Sequence, residues 1–217
     1  MDRTDLAAMI DHTLLKPDAT FMEIEMLCNE ALEYGFASAC VNPVWVPAAR
    51  RILEGGKPLV CSVIGFPLGA SSVMAEEAAR AVDQGSGELD MVIPIGFLRS
   101  GMTDETARCV RDVVRASSGR PVKVIIETCL LTDREKRLAC RIALEGGAEW
   151  VKTSTGFSSG GATARDVALM KETVGDRLGV KASGGIRTLD DAMEMIRAGA
   201  RRLGCSRSVQ IIDSLEG

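Results

Sequence analysis

The chain has 217 residues, enough to bury one sizeable core, and its evenly spread apolar content offers no linker at which to divide it, so residues 1–217 read as a single domain. Lysine and arginine total 26 against 30 aspartates and glutamates, a net charge of -4 with no basic block, which argues against a nucleic-acid partner. No apolar stretch reaches the ~20 residues of a membrane span, and the first six residues lack the apolar core of a secretion signal, so a cytoplasmic protein without a membrane partner is expected.

In chain order, Ile10-Asp-His-Thr-Leu14 reads as a first strand, short and carrying two polar residues. Thr20 with Glu23 then marks a helix start, and Phe21, Ile24, Leu27, Cys28, Ala31 and Leu32 recur at the spacing of one buried helical face up to Tyr34. From there one phrase repeats: a helical stretch, a glycine stop and a short apolar strand. It appears at residues 34–41, 55–64, 85–93, 119–126, 146–152, 179–182 and 199–204. Thr132 with Glu135 and Thr188 with Asp191 supply two more capped helix starts. Continuous apolar strands alternating with amphipathic helices predict a parallel sheet buried on both faces. Eight strands favour a closed (β/α)8 TIM barrel over an open doubly wound sheet of six or seven.

Ionisable residues on a core strand are costly unless paired, and the loops after the strands build the active site of such a barrel. Asp11 and Thr13 fall in the first strand, Asp90 in the fourth, and Thr128 follows the fifth. Lys152 closes Glu149-Trp-Val-Lys152, and Lys181 lies in Gly179-Val-Lys-Ala-Ser-Gly-Gly185. If these runs are adjacent parallel strands, two ammonium groups face each other, and their crowding leaves one as a free amine able to attack a carbonyl and form a Schiff base. One strand lysine alone would more simply snorkel to solvent, whereas Asp90, for which a structural ion-pair role is the alternative, reads as a group for proton transfer. The second lysine, followed by Ala-Ser-Gly-Gly, favours chemistry. Ser183-Gly-Gly185 and Gly204-Cys-Ser-Arg207 occupy the loops where such barrels hold a phosphate. His12, the single histidine, has no ligand spacing around it and reads as structural or site-lining, so no metal site is expected. The seven cysteines are scattered and read as reduced thiols, Cys40 as a small buried apolar group. Trp45 and Trp150 read as packing residues.

These motifs resemble the deoxyribose-phosphate aldolases over nearly the whole chain. The resemblance rests on Ile10-Asp-His-Thr-Leu-Leu-Lys-Pro17, Cys40-Val-Asn-Pro43, Val63-Ile-Gly-Phe-Pro-Leu-Gly69, Glu88-Leu-Asp-Met-Val-Ile93, Val124-Ile-Ile-Glu-Thr128, Val151-Lys-Thr-Ser-Thr-Gly-Phe157 and Val180-Lys-Ala-Ser-Gly-Gly-Ile-Arg187. It implies that Lys152 forms the Schiff base, that Lys181 keeps it deprotonated and shares in proton transfer, and that Asp90 relays protons. It further implies that Asp11, Thr13 and Thr155 line the sugar hydroxyls, that Gly156, Gly184, Gly185 and Ser206 bind phosphate, and that no cofactor takes part. The substrates implied are a phosphosugar and an aldehyde, handled by a homodimer or homotetramer. Two features depart from the family pattern: Pro94, which reshapes the loop after the fourth strand, and Arg207, placed either to grip the phosphate or to face solvent. A barrel aldolase acting on a non-phosphorylated acceptor and a phosphosugar-binding protein without turnover are the alternatives.

Overall fold

Each apolar run picked out by a preceding glycine stop becomes a strand of one closed sheet. A computed structural model describes residues 1–215. Its elements are α1 (Arg3–Ala7), β1 (Ile10–Leu14), α2 (Phe21–Tyr34), β2 (Ser38–Val41), α3 (Val46–Ile52), β3 (Leu59–Ile64), α4 (Met74–Asp83), β4 (Glu88–Val92), α5 (Ile95–Arg99) and α6 (Thr103–Ala116). They continue as β5 (Val122–Ile125), α7 (Asp133–Glu145), β6 (Trp150–Lys152), α8 (Ala164–Val174), β7 (Gly179–Ser183), α9 (Leu189–Arg197), β8 (Arg202–Cys205) and α10 (Ser208–Asp213). All eight strands pair in parallel and in sequence order, and β8 returns to β1 to close a (β/α)8 barrel. Closure decides between the two architectures that the sequence left open.

The helix starts form as their sequences dictate. Thr20, Thr132 and Thr188 each accept from the backbone N–H three residues on, while Glu23, Glu135 and Asp191 reach back to the cap. Each such box satisfies donors that a helix end leaves orphaned. Helix α2 buries Ile24, Leu27, Cys28 and Ala31, but Phe21 and Leu32 are exposed, so its buried face is narrower than the six-residue pattern suggested. Phe21 opens the first turn, and Leu32 lies against Gly56 in the loop after α3.

The main core fills the layer between strands and helices, and a second, smaller cluster of Leu15, Cys40, Cys61 and Val63 lies apart from it. His12 takes a structural place: its ring nitrogens contact Ser208 Oγ at 2.9 Å and Glu30 Oε2 at 2.6 Å. Trp45 packs on the core, and Trp150 lies against Gly179 with the Arg202 guanidinium 5.3 Å from its ring centre. Among the described residues no helix is long and apolar enough to cross a membrane.

Candidate active site

Parallel register aligns the lysines: Lys152 on β6 stands opposite Lys181 on β7, and Asp90 on β4 opposite Lys123 on β5. Inward-facing side chains from these strands meet in the barrel. Lys152 Nζ and Lys181 Nζ each donate to the same oxygen, Asp90 Oδ2, at 2.7 Å. The two lysine nitrogens therefore do not confront each other bare, as the sequence suggested; a carboxylate stands between them. Lys181 also donates to Asp11 Oδ2 at 2.5 Å.

Below this triad lies a set of charges that reading the strand ends had missed. Lys123 Nζ donates to Asp90 Oδ1 at 2.9 Å and to Glu88 Oε2 at 2.8 Å, and stands 3.7 Å from Asp11 Oδ2. Arg202 Nη1 donates to Asp11 Oδ1 at 2.6 Å and reaches Glu88 at 3.4 Å. Cys61 Sγ donates to Asp90 Oδ1 at 3.2 Å. The available signal was the same one that exposed Lys152, an ionisable residue inside an apolar strand, as in Val122-Lys-Val-Ile125. It applies along the whole strand and not only at its end.

Burial disfavours the charged form of Asp90, but Lys123, Lys152 and Lys181 outweigh it and hold the carboxyl well below the usual range. Asp11 follows the same pattern, with Lys181, Lys123 and Arg202 overcoming burial. For Lys181 burial favours the neutral amine, yet Asp11 and Asp90 win and push its proton affinity above the ordinary lysine value. Lys181 is thus a fixed cation beside Lys152.

Asp11, expected along the sugar hydroxyls, stands on β1 among the charged side chains of the barrel interior. It is fully buried, and its oxygens serve Lys181, Arg202 and the Ser38 hydroxyl, which donates to Oδ1 at 2.8 Å. An aspartate midway along an inward strand lands below the mouth, where paired cations offset its burial. Thr13 is half-buried and donates to the Asp11 carbonyl at 2.8 Å. Thr155 is buried at the mouth and donates to Glu127 Oε2 at 2.5 Å. Glu127, also missed from sequence, is a buried carboxylate with a left-handed backbone (φ 53°) that accepts from the Thr155 N–H as well, fixing the loop after β6.

Gly156 and Gly184 bring the loops after β6 and β7 together, with φ of 84° and 85°. A Cβ on Gly184 would sit 3.1 Å from Gly161 Cα and 3.5 Å from Gly156 Cα, so this approach requires glycine. Gly185 shares the left-handed backbone, at φ 83°. Ser206 and Arg207 are exposed between β8 and α10. Pro94 stands at the N-terminal cap of α5, and only Ile93 and Pro94 separate β4 from that helix. Metal-ligand types converge at Cys40, Cys61 and Asp90 and again at Asp11, Cys61 and Glu88, but ammonium groups already lie within 2.9 Å of each carboxylate. A groove of about 910 Å³, lined by Leu68, Met74, Phe97, Arg108 and Cys109 among others, lies outside the barrel and shares no residue with this cluster.

A family model described as DeoC/LacD family aldolase matches residues 6–209. The chain belongs to this aldolase family. Among the curated aldolases it resembles, the deoxyribose-phosphate aldolase of Clostridium kluyveri is 55% identical over 98% of this chain and 99% of that protein. That of Streptococcus gordonii is 58% identical over 94% of this chain and 93% of its own length. Among solved structures, a putative deoxyribose-phosphate aldolase from Coccidioides immitis superposes with a TM-score of 0.97 at 40% identity, covering 100% of this chain and 88% of that one. The aldolase of Aeropyrum pernix, described as a unique tetrameric structure, gives 0.93 at 37% identity over 100% and 93% of the two chains. The aldolase family thus accounts for the whole barrel, including the strands that carry both lysines.

Proposed function

We propose that this chain reversibly cleaves 2-deoxy-D-ribose 5-phosphate to D-glyceraldehyde 3-phosphate and acetaldehyde through a Schiff base on Lys152, working as one catalytic domain without a cofactor. The observation that carries the reading is the pair of lysines that face each other on adjacent strands and share Asp90 Oδ2 at 2.7 Å. The curated relatives named for this activity support the choice of substrate.

Lys152 adds to the C1 aldehyde of the open-chain sugar, and loss of water gives an iminium ion. Removal of the C3 hydroxyl proton then breaks the C2–C3 bond, and its electrons move into the iminium to leave an enamine. Glyceraldehyde 3-phosphate departs, the enamine carbon takes a proton, and water hydrolyses the resulting imine to acetaldehyde and free Lys152. Asp90 and Lys181, joined at 2.7 Å, are the proton-transfer pair. Asp11 serves by holding Lys181. Thr13 and Thr155 are the hydroxyl contacts. Gly156, Gly184, Gly185, Ser206 and Arg207 form the phosphate subsite, where left-handed glycines free backbone N–H groups for an anion. We further propose a cytoplasmic homodimer or homotetramer, on the strength of the tetrameric relative.

Reductive trapping tests the reading. Acetaldehyde with borohydride should leave one ethyl group on Lys152, located by peptide mass mapping. An unlabelled protein would point to a phosphosugar binder without turnover. Labelling with activity indifferent to the acceptor phosphate would point to a non-phosphorylated substrate.

A further inference from the structure

Lys123, Glu88 and Arg202 have no task in this mechanism, yet they share a closed space with the reacting groups. Lys123 has no solvent exposure at all. The charged side chains that face one another there come from six strands. The acids are Asp11 from β1 and Glu88 and Asp90 from β4. The bases are Lys123 from β5, Lys152 from β6, Lys181 from β7 and Arg202 from β8. Their ion pairs form one continuous network. Four bases thus face three carboxylates.

A buried charge without a counter-charge is costly, so the network is favoured when one of the four bases is neutral. Arg202 cannot be that one, because guanidinium keeps its proton in proteins. Lys123 lies within 3.7 Å of three carboxylates, and Lys181 lies within 2.7 Å of two. Lys152 has one, and shares that oxygen with Lys181. It is the least compensated base of the four. Were Lys123 absent, three bases would meet three carboxylates, and Lys152 would be needed as a cation.

We propose that Lys123 is a positioning residue for the aldolase reaction: its fixed charge gives the buried network one cation too many and so leaves Lys152 as the uncharged amine that attacks the carbonyl. The proposal rests on the Schiff-base reading and adds a third lysine to it. Lys181 alone does not suffice, because Asp90 lies between it and Lys152 and neutralises their mutual repulsion. Lys123 also fixes Asp90 Oδ1, which turns Oδ2 toward both upper lysines.

Three thiols border the network. Burial raises Cys61 well above the ordinary thiol value and pushes Cys205 up to about 12, so both stay neutral. Cys40 on β2 is lowered, by the Cys61 hydrogen bond first and with help from Lys181 and Lys152, against burial and Asp90. A Cys40 thiolate would cancel the surplus, so the test is run in a Cys40→Ser background as well.

The experiment measures kcat/KM for deoxyribose 5-phosphate against pH, with acetaldehyde and cyanoborohydride trapping at Lys152 as a second readout. Lys123→Met should move the acid limb up by about one pH unit or more, a loss of roughly tenfold near neutrality that raising the pH recovers. Glu88→Gln enlarges the surplus and should move the limb down. The double variant Lys123→Met/Glu88→Gln leaves three bases against two carboxylates and should return the limb to its wild-type position. A loss equal at every pH, or a double variant whose limb stays displaced, would overturn the proposal. If Lys123→Met does not fold, the limb in Glu88→Gln decides, since an unmoved limb sinks the charge count. Failure of the wild type to label Lys152 at any pH would instead sink the Schiff-base reading itself. The same displacements in the Cys40→Ser background are required, and their absence there would assign the compensating charge to the thiol.

Discussion

Asp90 is the residue on which the site turns, because its two oxygens serve three lysines at 2.7 to 2.9 Å. Asp90→Asn would leave buried ammonium groups with an amide in place of their shared counter-ion. Turnover should fall by about a hundredfold or more, and urea unfolding should report a loss of about 3–5 kcal/mol, the usual cost of removing one partner from a buried pair. Lys152→Ala removes the nucleophile and should abolish both cleavage and trapping while the circular dichroism spectrum stays that of the wild type. At this scale the sequence reveals Lys152, Lys181 and Asp90, since a lysine closing an apolar strand before a glycine turn needs a reason. It conceals Glu88 and Arg202, because Glu88 follows a glycine stop and Arg202 follows Arg201, and both look like ordinary surface charges until the barrel closes. The depth of Asp11 is hidden for a related reason: alternation shows that it points inward but not how far below the mouth it lies.

Among the elements, the loops after β6 and β7 depend on their close glycine contact. Gly184→Ala would meet Gly161 Cα at 3.1 Å on a left-handed backbone, so the phosphate loop should shift. The expected result is a KM for deoxyribose 5-phosphate raised about tenfold or more with a stability loss of roughly 1–2 kcal/mol. Trapping with acetaldehyde, which carries no phosphate, should be much less affected. Helix starts are more legible than loop shapes. Thr20, Thr132 and Thr188 act within three residues of chain, whereas the approach of Gly156 to Gly184 joins loops from different strands. The narrower buried face of α2 has the same origin, since exposure of Phe21 and Leu32 depends on where the helix meets the sheet.

The molecule as a whole is a closed barrel with a charged interior, and its stability should follow the ionisation of that interior. Asp11 and Asp90 bind protons more weakly folded than unfolded, so their contribution is present above the unfolded value near pH ~3.9 and is lost as the pH falls through the lower folded values. Lys181 and Lys123 bind protons more tightly folded, so theirs is present below ~10.4 and is lost as the pH rises through the higher folded values. Urea midpoints should be nearly flat between about pH 5 and 9 and fall steeply below about pH 4; a midpoint that rises on acidification to pH 3 would contradict this ionised network. Seven of the eight strands are legible from glycine stops and apolar runs, and β1, short and with polar residues inside it, completes the barrel count. Closure itself depends on β8 pairing with β1 across the full length of the chain, and local pattern carries no signal for that pairing.

The central claim is metal-free cleavage through Lys152. Its most direct test is deoxyribose 5-phosphate cleavage by chelator-treated protein, followed with a coupled assay for glyceraldehyde 3-phosphate, wild type beside Lys152→Ala. The account predicts an active wild type and an inactive variant. A variant that retains most of the activity, or a wild type that works only after metal is restored, would contradict it.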